Sequence, residues 1–175
     1  MNEYKPFVGK YIPPPEGVDP ETNASVIALR AAMPDAIEEA GSFRNQVTVR
    51  VYKDRIVEAC RFLRDTPGLE FDFLTDLTAV DYPARPLRFD VVYHLYSMSQ
   101  NHMLRVKAAV ADGDTIPTVT GVWLTANWQE RECFDMFGIT FSDHPDMRRI
   151  LLPEDWEGYP LRKAYPLAGY GTYTS

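Results

Sequence analysis

The sequence predicts an α+β fold: a mostly antiparallel sheet with helices packed on one face, plus extended Pro-rich arms at both ends. Three observations carry this. Strictly alternating segments follow one another closely, as in Gln46 to Tyr52, 88–98 and 103–111. Segments with helical spacing precede or interrupt them without alternating regularly with every strand. The prolines crowd the two ends, with Pro6, Pro13, Pro14, Pro15 and Pro20 near the start and Pro145, Pro153, Pro160 and Pro166 near the finish. Each removes a backbone donor and pushes its predecessor out of helical geometry.

In chain order, Val26, Leu29, Met33, Ile37 and Ala40 recur at helical offsets over 25–40, with a break at Pro34, a second turn opened by that proline, and an end at Gly41-Ser42. Val47, Val49 and Val51 alternate with Gln46, Thr48 and Arg50 in a half-buried strand. Asp54 is placed to cap a helix over 55–65, whose Ile56, Cys60 and Leu63 share a face and which Pro67-Gly68 stops. Leu69, Phe71, Phe73 and Thr75 alternate with acidic residues in a second strand. Strands over 88–98 and 103–111 follow, joined by a hairpin turn at Ser99 to His102. The last regular element lies around 120–137, with Gly138 as its left-handed terminator.

The predicted organisation is therefore an N-terminal arm over 1–24, an α+β domain over 25–138 and a C-terminal tail over 139–175. At 175 residues the chain fits one domain with arms, and 45% hydrophobic with 25% charged residues is ordinary for a globular protein. The tail carries Trp156, Phe141, Tyr159 and Tyr165 among its prolines, without amphipathic periodicity. A broken, apolar stretch of this length cannot bury itself, so it must lie on its own domain or on another chain, and a neighbouring polypeptide is the expected support.

Several function classes are disfavoured. No apolar run approaches the roughly 20 residues of a membrane span, and the N-terminus has no secretory h-region. A net charge of −7 argues against a nucleic-acid binder. Cys60 and Cys133 stand alone, which fits a reducing compartment and excludes a sequence-encoded iron–sulfur or structural zinc site. His94 and His102 read as ordinary sheet and turn residues, and no base is placed to activate Cys133.

The densest charge lies on the final helix. Glu132 and Asp135 share a face and repel unless cations intervene, and Arg131 is spaced to pair with Asp135. Arg148-Arg149 and Arg162-Lys163 are cationic doublets on the tail, placed to fold back and neutralise that stripe through bidentate contacts. Three readings compete. The cluster is a solvated helix face; or Glu130, Glu132, Asp135 and His144 hold a divalent metal or act as acid and base in a small hydrolase; or it is a charged lock that fixes the tail for a partner, favoured by the crowding of Trp128, Phe134, Phe137 and Trp156. The metal reading lacks recognised ligand spacing.

The run Glu130-Arg131-Glu132-Cys133-Phe134-Asp135-Met136-Phe137-Gly138-Ile139, followed by His144-Pro145, Arg148-Arg149-Ile150-Leu151-Leu152-Pro153 and Pro160-Leu161-Arg162-Lys163, resembles the C-subunit family (30-kDa type) of NADH–quinone oxidoreductase, respiratory complex I. The match covers about residues 118–167, and several separated motifs agree in order and spacing. Two departures stand out: Ala164 where the family usually has aspartate, and Tyr159 where histidine or tryptophan is common.

The resemblance implies a non-catalytic peripheral-arm subunit with no catalytic, cofactor-binding or metal-binding residue of its own. FMN, the iron–sulfur clusters and the quinone site would belong to the rest of the complex. Its partners would be chiefly the hydrogenase-like D subunit, with the B and I subunits, on the cytoplasmic side of the inner membrane without a span. The parent enzyme would move electrons from NADH to quinone, coupled to proton translocation. Relatives linked to ferredoxin, reduced F420 or hydrogenase chemistry would use the same kind of subunit.

Overall fold

The computed structural model describes residues 18–169 of the chain. The elements run α1 (Ala24–Ala32), β1 (Ile37–Phe43), β2 (Gln46–Val51), α2 (Ile56–Asp65), β3 (Phe73–Asp81), β4 (Phe89–Ser97), β5 (His102–Val110), β6 (Thr115–Pro117), α3 (Ala126–Phe137) and β7 (Thr140–Ser142). Five strands form one sheet in the order β1-β2-β5-β4-β3, and β6 pairs with β7 in a small parallel sheet. All pairings of the large sheet are antiparallel except β2 with β5. The fold is α+β, as its alternation predicts.

The period of two explains which face is buried. Val47, Val49 and Val51 on β2, Phe89, Val91, Tyr93 and Leu95 on β4, and Leu104, Val106, Ala108 and Val110 on β5 all join one buried cluster. Against them pack Val26 and Leu29 of α1, Ile56, Ala59, Cys60 and Leu63 of α2, and Cys133, Met136 and Phe137 of α3. All three helices thus contribute to a single core on one face of the sheet.

Four expectations are corrected. Residues 37–43 form strand β1, so Pro34 opens no second helical turn and Gly41-Ser42 lies inside a strand. The cause is tertiary: β1 pairs along β2 through a tight turn at Arg44 and Asn45, whose φ values of 51° and 63° give the left-handed geometry a hairpin prefers. Asp54 lies in a short 3-10 turn, Lys53–Arg55, and caps nothing with its side chain. Strand β3 begins at Phe73 and runs on to Asp81; Leu69 and Phe71 are buried but belong to the connection, where Glu70 has a positive φ of 48°. The last helix starts at Ala126, and the residues before it are turns.

At the N-terminal end, residues 1–17 and their four prolines lie outside the described residues. Pro20 opens a 3-10 turn, Pro20–Thr22, capped by the Asp19 side chain, so the last part of the expected arm is not extended. Asn23 then caps α1 by accepting from the Ser25 and Val26 N–H groups. The short strands β6 and β7 have no counterpart in the sequence pattern, because three residues carry no readable alternation.

Candidate partner-binding site on the last helix and the tail

Helix α3 packs along β3, and its sequence places polar groups on opposite sides of the same rod. Gly138 ends it in the left-handed conformation, φ 74° and ψ 27°, with its N–H returning to the Phe134 carbonyl. This terminator behaves as the sequence predicts. It also has a second role. A Cβ at Gly138 would fall 2.5 Å from Tyr159 Cε2 and 2.8 Å from Arg162 Nη2, so the bare backbone is what lets the tail close on the helix end.

Asp135 is the principal anchor. Its buried carboxylate accepts from Arg149 Nη1 at 2.6 Å and from three consecutive backbone N–H groups, Ile150, Leu151 and Leu152, at 3.0, 2.7 and 2.9 Å. Burial pushes this carboxyl toward the neutral form, but the Arg149 contact and the three N–H bonds outweigh it and hold the group below the usual range. Arg149 donates its other bonds to the carbonyls of Asp135, Trp156 and Gly158. It gathers the tail around itself; it does not grip the carboxylate in bidentate fashion.

Arg131 corrects the expected helical pairing. It donates to the Arg148 and Arg149 carbonyls at 3.2 and 3.0 Å, leaving Asp135 to the tail. Among the described residues Arg148 pairs only with exposed Asp146. At the helix end, Leu161 N–H donates to the Met136 carbonyl and Arg162 Nε to the Phe137 carbonyl, at 3.1 and 2.6 Å. These bonds satisfy carbonyls that a helix terminus leaves open. Arg162 also pairs with Asp112 at 3.0 Å and lies over the rings of Tyr159 and Phe89. Its pairing therefore does not depend on an acid at position 164. Lys163 contributes its backbone N–H, which donates to Asp81 Oδ2 at 2.8 Å.

Glu130 faces the other way. Its fully buried carboxylate accepts from the Val119 N–H at 2.7 Å and from the Thr118 hydroxyl. Burial outweighs both bonds and raises its pKa to about 7. His144 Nε2 lies 3.9 Å from that carboxylate and donates to the Asn127 carbonyl, while Nδ1 accepts from the Asp146 N–H. The four groups of the metal reading do not converge: Glu130 and His144 are neighbours, Asp135 is occupied by the tail, and Glu132 is exposed. Among the described residues no group of three or more His, Cys, Asp or Glu is placed to hold an ion.

The described part of the tail thus lies on its own domain, which corrects the expectation of a neighbouring support for its backbone. Its exterior is not closed by that. Leu151 is 61% exposed, Leu161 50% and Leu167 entirely, while Pro145 and Pro153 also face outward. At the start of α3, Leu124 is 90% and Trp128 70% exposed. Large apolar side chains presented on a rigidly bonded backbone are the mark of a contact surface.

Two anchors escape the sequence reading. Asp81 is gripped by both ends of the Arg88 guanidinium, at 2.7 and 2.9 Å, and Asp112 bridges Arg88 and Arg162. A signal for Asp81 exists: it continues the buried parity of Leu77 and Ala79, where a carboxylate demands a partner. Asp112, in a surface turn, carries no such mark.

Residues 49–171 match the family model described as respiratory-chain NADH dehydrogenase, 30-kDa subunit. The chain belongs to this family. It is 51% identical over 150 residues to the NADH-quinone oxidoreductase C subunit of Geotalea uraniireducens, covering 85% of this chain and 90% of that one. It is 52% identical over 147 residues to the corresponding C subunit of a Roseiflexus species, with 83% and 84% covered. A solved chain of the membrane-bound sulfane sulfur reductase, an archaeal respiratory membrane complex, superposes with a TM-score of 0.68 at 27% identity, over 81% of this chain and 84% of that one. In this member of the 30-kDa subunit family, no helix among the described residues is long and apolar enough to cross a membrane.

Proposed function

We propose that this chain is the non-catalytic peripheral-arm subunit of an NADH–quinone oxidoreductase, and that its work is to assemble and stabilise the hydrogenase-like module that forms the quinone site. The outward apolar side chains on the pinned tail carry this reading. The backbone of 148–152 and of Leu161 is bonded to α3, so Leu151 and Leu161 are presented without being buried. A partner that covers them gains affinity without having to order the segment first. On this reading the partner is chiefly the hydrogenase-like D subunit, with the B and I subunits nearby, on the cytoplasmic side of the membrane. FMN and the iron–sulfur clusters reside in other chains, where electrons pass from NADH to quinone in the proton-translocating enzyme.

Substituting Leu151→Asp together with Leu161→Asp tests the proposal. The free chain should keep its denaturation midpoint, while recovery in the membrane-extracted complex falls severalfold. Undiminished recovery of the double variant would refute the tail as the contact. A second reading keeps the role and changes the machine, and the likeness to the archaeal sulfane sulfur reductase favours considering it. Mass spectrometry of the chains that co-purify with this one decides between an NADH-oxidising and a differently fuelled complex.

A further inference from the structure

We propose that the open face of the five-stranded sheet is a second docking surface, built for an acidic segment of a partner protein. The inference rests on the assembly reading above and adds a site on the side away from the three helices. Alternation puts Arg50, Lys107 and Arg105 on this face, with Arg50 directly opposite Lys107 and Thr48 opposite Arg105 across the parallel β2–β5 pair. A chain with a net charge of −7 thus concentrates cations on one sheet surface.

Those cations are unequally supplied with anions. Asp90 is buried on this face and holds Arg50 at 2.8 and 2.9 Å and Arg85 at 2.7 Å, so its oxygens are already occupied. Among the described residues Arg105 reaches only neutral acceptors, Gln46 and Thr48. Lys107 has no hydrogen-bond or ion-pair partner among the described residues. Burial lowers its pKa; Asp90 opposes this, while the guanidiniums of Arg50, Arg105 and Arg85 add to it, the pattern of an ammonium lacking its own counter-ion. Two half-covered cations side by side repel each other and await a carboxylate.

The chemistry of the occupant follows from the surroundings. Exposed Phe43 and Met103 share the face with the cations, so the fitting ligand carries apolar side chains as well as acids. Glu39 on β1 and Asp76 on β3 flank the strip, and a phosphate backbone would meet them unfavourably. A short acidic protein segment meets only the centre.

The test uses the native complex. Carbodiimide treatment, which joins ammonium groups to adjacent carboxylates, should link Lys107 to an aspartate or glutamate of another chain, within a stretch richer in acids than bases. The paired substitution Arg105→Glu and Lys107→Glu should leave the free chain's denaturation midpoint unchanged and lower its recovery in the complex roughly threefold or more. Should the reversed charges prevent folding, Arg105→Gln with Lys107→Gln replaces them, with the loss relative to wild type expected to shrink as salt is raised, because screening removes the wild type's advantage. A complex that contains the chain but shows no trans link from Lys107, or full recovery of these variants, overturns the proposal and leaves the assembly reading standing. Tighter binding of the wild-type chain to an oligonucleotide than to an acidic peptide overturns it too. Absence of the chain from any complex defeats both.

Discussion

The sheet core and the tail are held by different forces, though they meet on the same helix. The core is apolar side chains from five strands and three helices, excluded from water without direction. The tail is attached by directed bonds, among them four to the Asp135 carboxylate, two from Arg131 to the Arg148 and Arg149 carbonyls, two to helix-end carbonyls from Leu161 and Arg162, and one to Asp81. Ile139 and Phe141 at its start join the core and Met147 and Leu152 pack against it, but Leu151, Leu161 and Leu167 point to solvent. A non-directional core tolerates exchanges of shape; a segment hung on a few oriented bonds tolerates exchanges of its outward side chains and almost none of its anchors.

The sharpest break should come from Asp135→Ala. It strands the Arg149 guanidinium and three backbone N–H groups at once, and should cost about 3–5 kcal/mol in denaturant unfolding. Proteolysis should then cut between 146 and 163 before it cuts the sheet. In the core, Leu95→Ala should cost about 2–5 kcal/mol with no selective exposure of the tail. Equal protease sensitivity of the two variants would erase the distinction between the regions.

Acidity sharpens the comparison, because Glu130 and Asp135 shift in opposite directions. Glu130 rises to about 7 in the folded chain, so between its ordinary 4.5 and about 7 the folded state keeps a proton that the unfolded state releases. Stability should therefore decline as pH rises through that interval, by on the order of 3 kcal/mol from this group, and Glu130→Gln should flatten the slope. Asp135 is held low, so its contribution is present above the ordinary carboxylate pKa and is lost as pH falls through its folded value. Midpoints recorded at several pH values for both single variants separate the two groups.

Smaller effects follow. Gly138→Ala should cost at least about 1–2 kcal/mol from the left-handed backbone alone, with further loss as Tyr159 and Arg162 are pushed off the helix end. A denaturant series read alongside proteolysis checks both parts. Leu151→Ala, made on an exposed side chain, should change the free chain by less than about 0.5 kcal/mol. The two arginines of the Arg148-Arg149 doublet divide in the same way, one exposed and one holding Asp135. Arg149→Ala should destabilise the free chain, whereas Arg148→Ala should leave it unchanged in the same melt.

Much of the fold is legible in the sequence because periodicity reports burial directly. The valines of β2 and the alternation of β4 and β5 mark their buried faces, and Gly138 marks the end of α3, since few residues other than glycine accept that backbone angle. The segment from Ile37 to Ala40 reads wrongly as helix because Ile-Glu-Glu-Ala is locally helix-compatible, and only pairing with β2 overrides that preference. Of the candidate site, the folding-back of cationic tail residues onto α3 is legible in outline. Its partners are not: Arg149 takes Asp135 and three carbonyls, Arg131 takes backbone oxygens, and Arg162 finds Asp112 in a distant turn.

By itself the sequence determined the fold class, the face of each central strand, the terminator of the last helix and the family, because these depend on local periodicity and on motif order along the chain. Tertiary structure alone decided that the described part of the tail lies on its own domain, that the pKa values of Glu130 and Asp135 shift in opposite directions, and that Arg105 and Lys107 have no carboxylate opposite them among the described residues. The physical reason is common to all three. Each depends on which polar group a buried or half-buried charge meets across space, and such meetings leave no period in the order of residues.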